Sequence, residues 1–94
     1  MKVNYSDLKN KRIFITGGGS GIGASIVEHF CEQKSEVYFV DINTKDSERL
    51  LIKIKKKKLK VPTFIECNLL DISKLQGVIK KIISTKGPIS SLIN

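Results

Sequence analysis

Histidine is almost missing from this chain of 94 residues: His29 is the only one. It sits between Glu28 and Glu32 on an amphipathic stretch, and no set of partners with metal-ligand spacing accompanies it. It reads as a solvated helix residue, and no metal site is expected. Cysteine is nearly as scarce. Cys31 falls on the inner side of an expected helix and Cys67 at the end of an expected strand. That placement favours buried free thiols over a disulfide. No apolar run approaches the ~20 residues that a membrane-spanning helix needs. The N-terminus is polar, with nothing like a signal peptide, so the expectation is a cytoplasmic protein without a membrane partner. Repeats, linkers and low-complexity tracts are absent apart from one lysine run. The length allows one small domain, which buries roughly 60–65% of the unfolded chain's surface.

Arginine is scarce too. Arg12 and Arg49 stand against fifteen lysines, and the net charge is +8. The excess is local. Residues 51–60 carry six lysines and no acid, and without them eleven basic residues face nine acidic ones. The cluster falls at the expected C-terminal end of a helix, where cations oppose the helix dipole favourably. Few arginines and no interleaved aromatics argue against phosphate forks and base stacking. The run from Lys53 to Lys60 therefore reads as a solvated helix end, with no nucleic-acid partner expected. A basic interaction protein using that run is the alternative.

Glycine, in contrast, is concentrated. Thr16-Gly17-Gly18-Gly19-Ser20-Gly21-Ile22-Gly23 holds five glycines in eight residues. Before it, Ile13-Phe14-Ile15-Thr16 has the β-branched and aromatic content of a buried strand. After it, Ile22, Ile26, Val27 and Phe30 recur at helical spacing. The glycines thus occupy a strand-to-helix turn, where backbone N–H groups and the positive end of a helix can face an anion. A Walker loop requires Gly-Lys-Ser/Thr at its end, and Ala24 stands where that lysine would be. The dinucleotide pattern G-x-G-x-x-G/A fits at Gly19, Gly21 and Ala24. A second apolar run, Glu36-Val37-Tyr38-Phe39-Val40, ends in Asp41. Its carboxylate has the position expected for an acceptor of adenosine ribose hydroxyls, and it would repel a 2′-phosphate.

The order of these landmarks resembles the classical short-chain dehydrogenase/reductases. Thr16-Gly17 through Gly21-Ile22-Gly23 resembles that family's Thr-Gly-x-x-x-Gly-Ile-Gly turn. Leu8-Lys9-Asn10-Lys11-Arg12 is similar to the polar leader before its first strand. Cys67-Asn68-Leu69-Leu70-Asp71 resembles the adenine-holding Cys-Asp-Val-x-Asp stretch, with Asn68 in place of the usual aspartate. Gly87 to Asn94 is similar to the lead-in to its Asn-Asn-Ala-Gly motif. The resemblance implies a cofactor site of Gly17, Gly19, Ser20, Gly21, Ile22, Gly23, Asp41, Ile42, Asn68, Leu69 and Asn94. It implies NAD in preference to NADP, since Ser20 and Ile42 supply no positive charge where NADP-preferring members often carry arginine. The family's catalytic asparagine, serine, tyrosine and lysine lie beyond Asn94. Tyr5 and Lys9 reproduce the Tyr-x-x-x-Lys spacing, but they precede the first strand and read as coincidence.

The spacing predicts strand 12–16, helix 21–34, strand 36–41, helix 45–58, strand 62–67, helix 72–86 and strand 89–94. Asp71 or Ser73 can cap the third helix, and Ser73 with Gln76 matches a capping box. Strictly alternating elements imply an α/β fold with parallel strands. The expected architecture over residues 1–94 is a partial, truncated Rossmann-type doubly wound parallel sheet of about four strands and three helices. It would be the cofactor-binding half of an oxidoreductase, inactive alone, or a non-catalytic dinucleotide-binding module. The fourth strand would be a raw edge, so self-association or docking of a complementary C-terminal half is expected.

Overall fold

The computed structural model describes residues 8–94. Tyr5 of the Tyr5–Lys9 pair lies outside the described residues. The elements alternate without exception: β1 (Arg12–Thr16), α1 (Gly21–Glu32), β2 (Glu36–Asp41), α2 (Thr44–Lys56), β3 (Thr63–Glu66), α3 (Ile72–Lys86) and β4 (Ser91–Ile93). The strands form one sheet in the order β3-β2-β1-β4. All three pairings are parallel, with Phe14 beside Tyr38 and Leu92, and Phe39 beside Phe64.

Alternation along each strand sends side chains to two separate cores. Ile13, Ile15, Val37 and Phe39 point to one face, where Val27 and Cys31 of α1 and Leu50 and Ile54 of α2 cover them. Phe14, Tyr38 and Val40 point to the other, where Ile82, Leu75, Val78 and Ile79 of α3 lie with Cys67. The sheet is therefore wound on both faces, and its central strands are apolar throughout because both sides are covered. Phe14 and Phe39 are fully buried, each contributing about 1.5–3 kcal/mol relative to exposure. Both cysteines are buried free thiols. Burial pushes the Cys31 thiol up to about 12, so it remains protonated and unreactive at neutral pH. No helix among the described residues is long and apolar enough to cross a membrane.

Helix ends differ from the sequence expectation where lysine does glycine's work. α1 and α2 stop two residues early, at Glu32 and Lys56. Lys34 and Lys58 adopt left-handed backbone, at φ 64° and 58°. Each closes a six-to-one turn, Ser35 N–H donating to Phe30 O at 3.1 Å and Leu59 N–H to Ile54 O at 3.3 Å. Glycine is the usual residue there because a side chain crowds the backbone. Lys58→Gly is accordingly expected to stabilise the fold by about 1 kcal/mol. Gly77→Ala, inside α3 with open space around its added Cβ, is expected to add about 0.5–1 kcal/mol. Urea midpoints of the two variants check both. The strands β3 and β4 are also shorter than expected, at four and three residues. At the start of α3, the Asp71 side chain accepts from Lys74 N–H at 3.1 Å. Asp71 is the cap and Ser73 lies inside the helix, so the Ser73–Gln76 capping box does not form.

Two charged clusters tie the elements together. Glu28 of α1, nearly buried, receives Lys53 of α2 at 3.2 Å and also Lys57, the residue that caps the end of α2. At the amino edge of the sheet, Arg12 Nε donates to Glu36 Oε2 at 2.6 Å and Arg12 Nη1 to Pro88 O at 2.9 Å. Tyr38 Oη donates to the same Glu36 oxygen at 2.9 Å. The hydrogen bond from Lys57 holds the Glu28 carboxyl below the ordinary glutamate value, and that from Arg12 does the same for Glu36. Their contribution is present above the ordinary value of the unfolded chain and is lost as pH falls through the depressed folded values. The urea midpoint should therefore drop on acidification through that range, and drop less steeply in Glu28→Gln.

Candidate functional site

In a parallel sheet every strand points its carboxyl end the same way. The loops after β1, β2 and β3 and the end of β4 thus meet along one edge. The order β3-β2-β1-β4 reverses direction between β1 and β4, and open α/β sheets bind ligands in the crevice at such a switch point.

The turn after β1 is held from below. Gly17 and Gly18 N–H both donate to Val40 O, at 2.8 and 3.3 Å. Gly19 N–H donates to Asp41 Oδ2 at 2.9 Å. Gly17 and Gly21 take φ 68° and 57°, the left-handed region that glycine enters without penalty. A Cβ on Gly23 would run into the Gly17 carbonyl oxygen, and one on Gly18 would lie 2.7 Å from Phe39 Cβ. The closest backbone approach thus falls on Gly23. Ala24, the last position of the G-x-G-x-x-G/A match, instead packs against the core.

The start of α1 is left open. Its first residue follows Ser20, whose side chain makes no capping hydrogen bond, and no acidic residue stands in the first turn. The other two helices are capped, by Asn43 onto Asp46 N–H at 3.0 Å and by Asp71 onto Lys74 N–H. α1 therefore presents unpartnered N–H groups and an unneutralised dipole at the carboxyl edge. Ile22 and Ile42 flank this region at 82% and 63% exposure, supplying apolar surface beside the polar turn.

Asp41 sits where β2 ends. Besides Gly19, its Oδ1 accepts from Asn43 N–H at 2.8 Å. Both carboxylate oxygens are thereby fixed in direction, and each retains a lone pair for a hydroxyl donor. Ser47 was not singled out in the sequence. It is fully buried on α2, donates to Asn43 O at 2.7 Å, and lies under the place a Gly19 Cβ would occupy. Nothing in local sequence marks it, because its role arises only when α2 packs beneath the turn. Asn68 is exposed and turns its acceptor oxygen onto Leu70 N–H at 2.9 Å, so its amide donor faces outward. Leu69 adjoins it, 41% exposed. Asn94 is exposed and accepts from Thr16 Oγ1 at 3.1 Å, which ties the end of β4 to the end of β1. Among the described residues no group of three or more His, Cys, Asp or Glu side chains is placed to hold a metal.

Residues 11–94 match the short chain dehydrogenase family. The chain belongs to that family. A probable galactose dehydrogenase of Rhizobium meliloti is 33% identical over 90 residues, which cover 96% of this chain and 35% of that protein. D-xylose 1-dehydrogenase of Caulobacter vibrioides is 37% identical over 90 residues, covering 96% and 34%. The chain thus spans about a third of the length of the curated relatives it matches. Among solved structures, a citronellol catabolism dehydrogenase of Pseudomonas aeruginosa superposes with a TM-score of 0.82 at 22% identity, covering 92% of this chain and 36% of that one. An oxidoreductase from Haemophilus influenza with bound NAD gives a TM-score of 0.76 at 21% identity, covering 94% and 32%. These two likenesses show the fold, a Rossmann-type α/β arrangement. Membership in the short-chain dehydrogenases implies a nicotinamide dinucleotide cofactor.

Proposed function

We propose that this chain is the cofactor-binding portion of a short-chain oxidoreductase and that it takes NAD in preference to NADP. The observation that carries the reading is the Asp41 carboxylate, fixed by Gly19 and Asn43 N–H, beside the uncapped start of α1. The residues fit the group. Five glycines leave no side chain between the backbone and an approaching pyrophosphate, and the N–H groups of Gly21, Ile22 and Gly23 would hold it. Asp41 would accept from the ribose hydroxyls, and its charge opposes a 2′-phosphate. Ser20 and Ile42 bring no compensating cation. Ile42 and Leu69 offer apolar surface for the adenine, with Asn68 beside them. When bound, the dinucleotide supplies the hydride chemistry.

The test is a fluorescence titration of the chain with NADH and with NADPH, repeated on Asp41→Ala. NADH is expected to bind at least about tenfold more tightly, a difference of about 1.4 kcal/mol. Asp41→Ala should narrow that gap, and tighter binding of NADPH to the unaltered chain overturns the reading. Turnover is a separate matter. These 94 residues hold no proton-transfer tyrosine and lysine on a helix of the described fold. Acid–base assistance worth ~10²–10⁴-fold is then lacking, so NADH oxidation with a panel of ketones should stay at background. Activity that disappears in Tyr5→Phe would show the contrary.

A further inference from the structure

A cavity of about 320 Å³ lies away from the cofactor edge, between α3 and the sheet. Its strand residues are Tyr38 of β2 and Ile65 of β3, with none from β1 or β4, so it lies toward the β3 side of the sheet. Val78 and Ile82 of α3 complete the apolar wall, and Lys81, Thr85 and Lys86 stand around it. Its size is at the lower end of small-molecule pockets, about 300–1,000 Å³, so the occupant is small.

Charge decides which small molecule. Lys81 and Lys86 are exposed and enter none of the ion pairs among the described residues. The nearby carboxylate is already engaged, since Glu36 receives both Arg12 and the Tyr38 hydroxyl. The wider surroundings are basic as well. Helices of a parallel α/β fold end at the amino edge of the sheet, where Lys53, Lys55 and Lys56 close α2 and Lys86 closes α3. An apolar cleft lined in part by two exposed lysines that enter none of these ion pairs is complementary to an anion carrying a hydrocarbon body. The lysine stems extend the apolar wall while their heads stay in water.

We propose that this cavity binds a medium-chain monocarboxylate, its hydrocarbon body among Tyr38, Ile65, Val78 and Ile82 and its carboxylate between Lys81 and Lys86. Each methylene withdrawn from water contributes about 0.8 kcal/mol, so the tail gives affinity and the lysines select the head. This site is independent of the cofactor reading, because no residue is shared.

The ¹⁵N-labelled chain is titrated with octanoate, with octanol and with inorganic phosphate, following the amides of Val78, Ile82 and Thr85. Octanoate is expected to move them saturably, octanol to bind several-fold more weakly, and phosphate to leave them in place. The double variant Lys81→Gln/Lys86→Gln should weaken octanoate about three- to tenfold, the range for two partly solvated ion pairs, and leave octanol unchanged. Val78→Phe, which fills the cavity, should abolish both. Should Val78→Phe fail to fold, the lysine variant decides alone. Absence of saturable shifts, equal binding of octanol and octanoate, or an unchanged affinity in the double lysine variant would each overturn the proposal. An amide spectrum of the lysine variant that overlays that of the unaltered chain away from α3 verifies that the fold is intact.

Discussion

Gly23→Ala is expected to weaken NADH binding by on the order of a hundredfold and to destabilise the fold by about 1–3 kcal/mol, the range for forced overpacking. The added methyl would meet the Gly17 carbonyl oxygen, which is backbone and cannot swing aside. Relief requires moving either α1 or the Gly17 turn. The Gly17 turn is held by Val40 O and by Asp41 through Gly19, so α1 moves. Its N–H groups then lose their aim at the phosphates. Partial loss of two hydrogen bonds to a charged group, each worth about 1.5–3 kcal/mol when well aimed, accounts for the loss of affinity. Gly77→Ala is the control, since its Cβ meets nothing within 4 Å. Parallel NADH titrations and urea melts of the two variants separate a local collision from a general intolerance of alanine. Unchanged NADH affinity in Gly23→Ala would remove the turn from the site.

Punctuation by special residues explains which parts of this fold were readable in sequence. β1, β2 and α3 begin and end where expected, because a glycine turn, an Asp at a strand end, an Asp cap and Gly87-Pro88 each impose a local conformation. The ends of α1 and α2 were misplaced because Lys34 and Lys58 take a left-handed conformation that lysine does not advertise. The site divides the same way. Glycines and Asp41 are visible because backbone geometry and charge are properties of the residue itself. Ser47 was invisible because a buried serine in the first turn of a polar helix acquires meaning only from the glycine turn packed against it. The hydrogen bond of Asp41 to Gly19 was hidden for the same reason. It couples ribose recognition to the phosphate turn, so Asp41→Ala alters more than the choice between NAD and NADP.

The polypeptide of residues 1–94, made as such, is expected to associate at micromolar concentration. β4 has three residues and pairs only with β1 among the described strands. Its outer side leaves backbone N–H and C=O groups unpaired, which is the usual template for strand addition. Leu92 lies beside Phe14 in register, on the α3 face of the sheet, yet it is 61% exposed. Ile83 of α3 is 46% exposed. Buried parallel sheets are covered on both faces, and here the cover over β4 is incomplete. A second copy or a complementary segment of a family member would pair with the strand and bury Leu92 together. Leu92→Lys places a charge on that surface, and gatekeeping charges blunt edge pairing. Sedimentation across a dilution series should therefore show a concentration-dependent species for the unaltered chain and a shift toward monomer for Leu92→Lys. A cooperative monomer at micromolar concentration without the substitution would contradict the expectation, because it would mean that three covered strands and two separate cores suffice to hold the exposed edge.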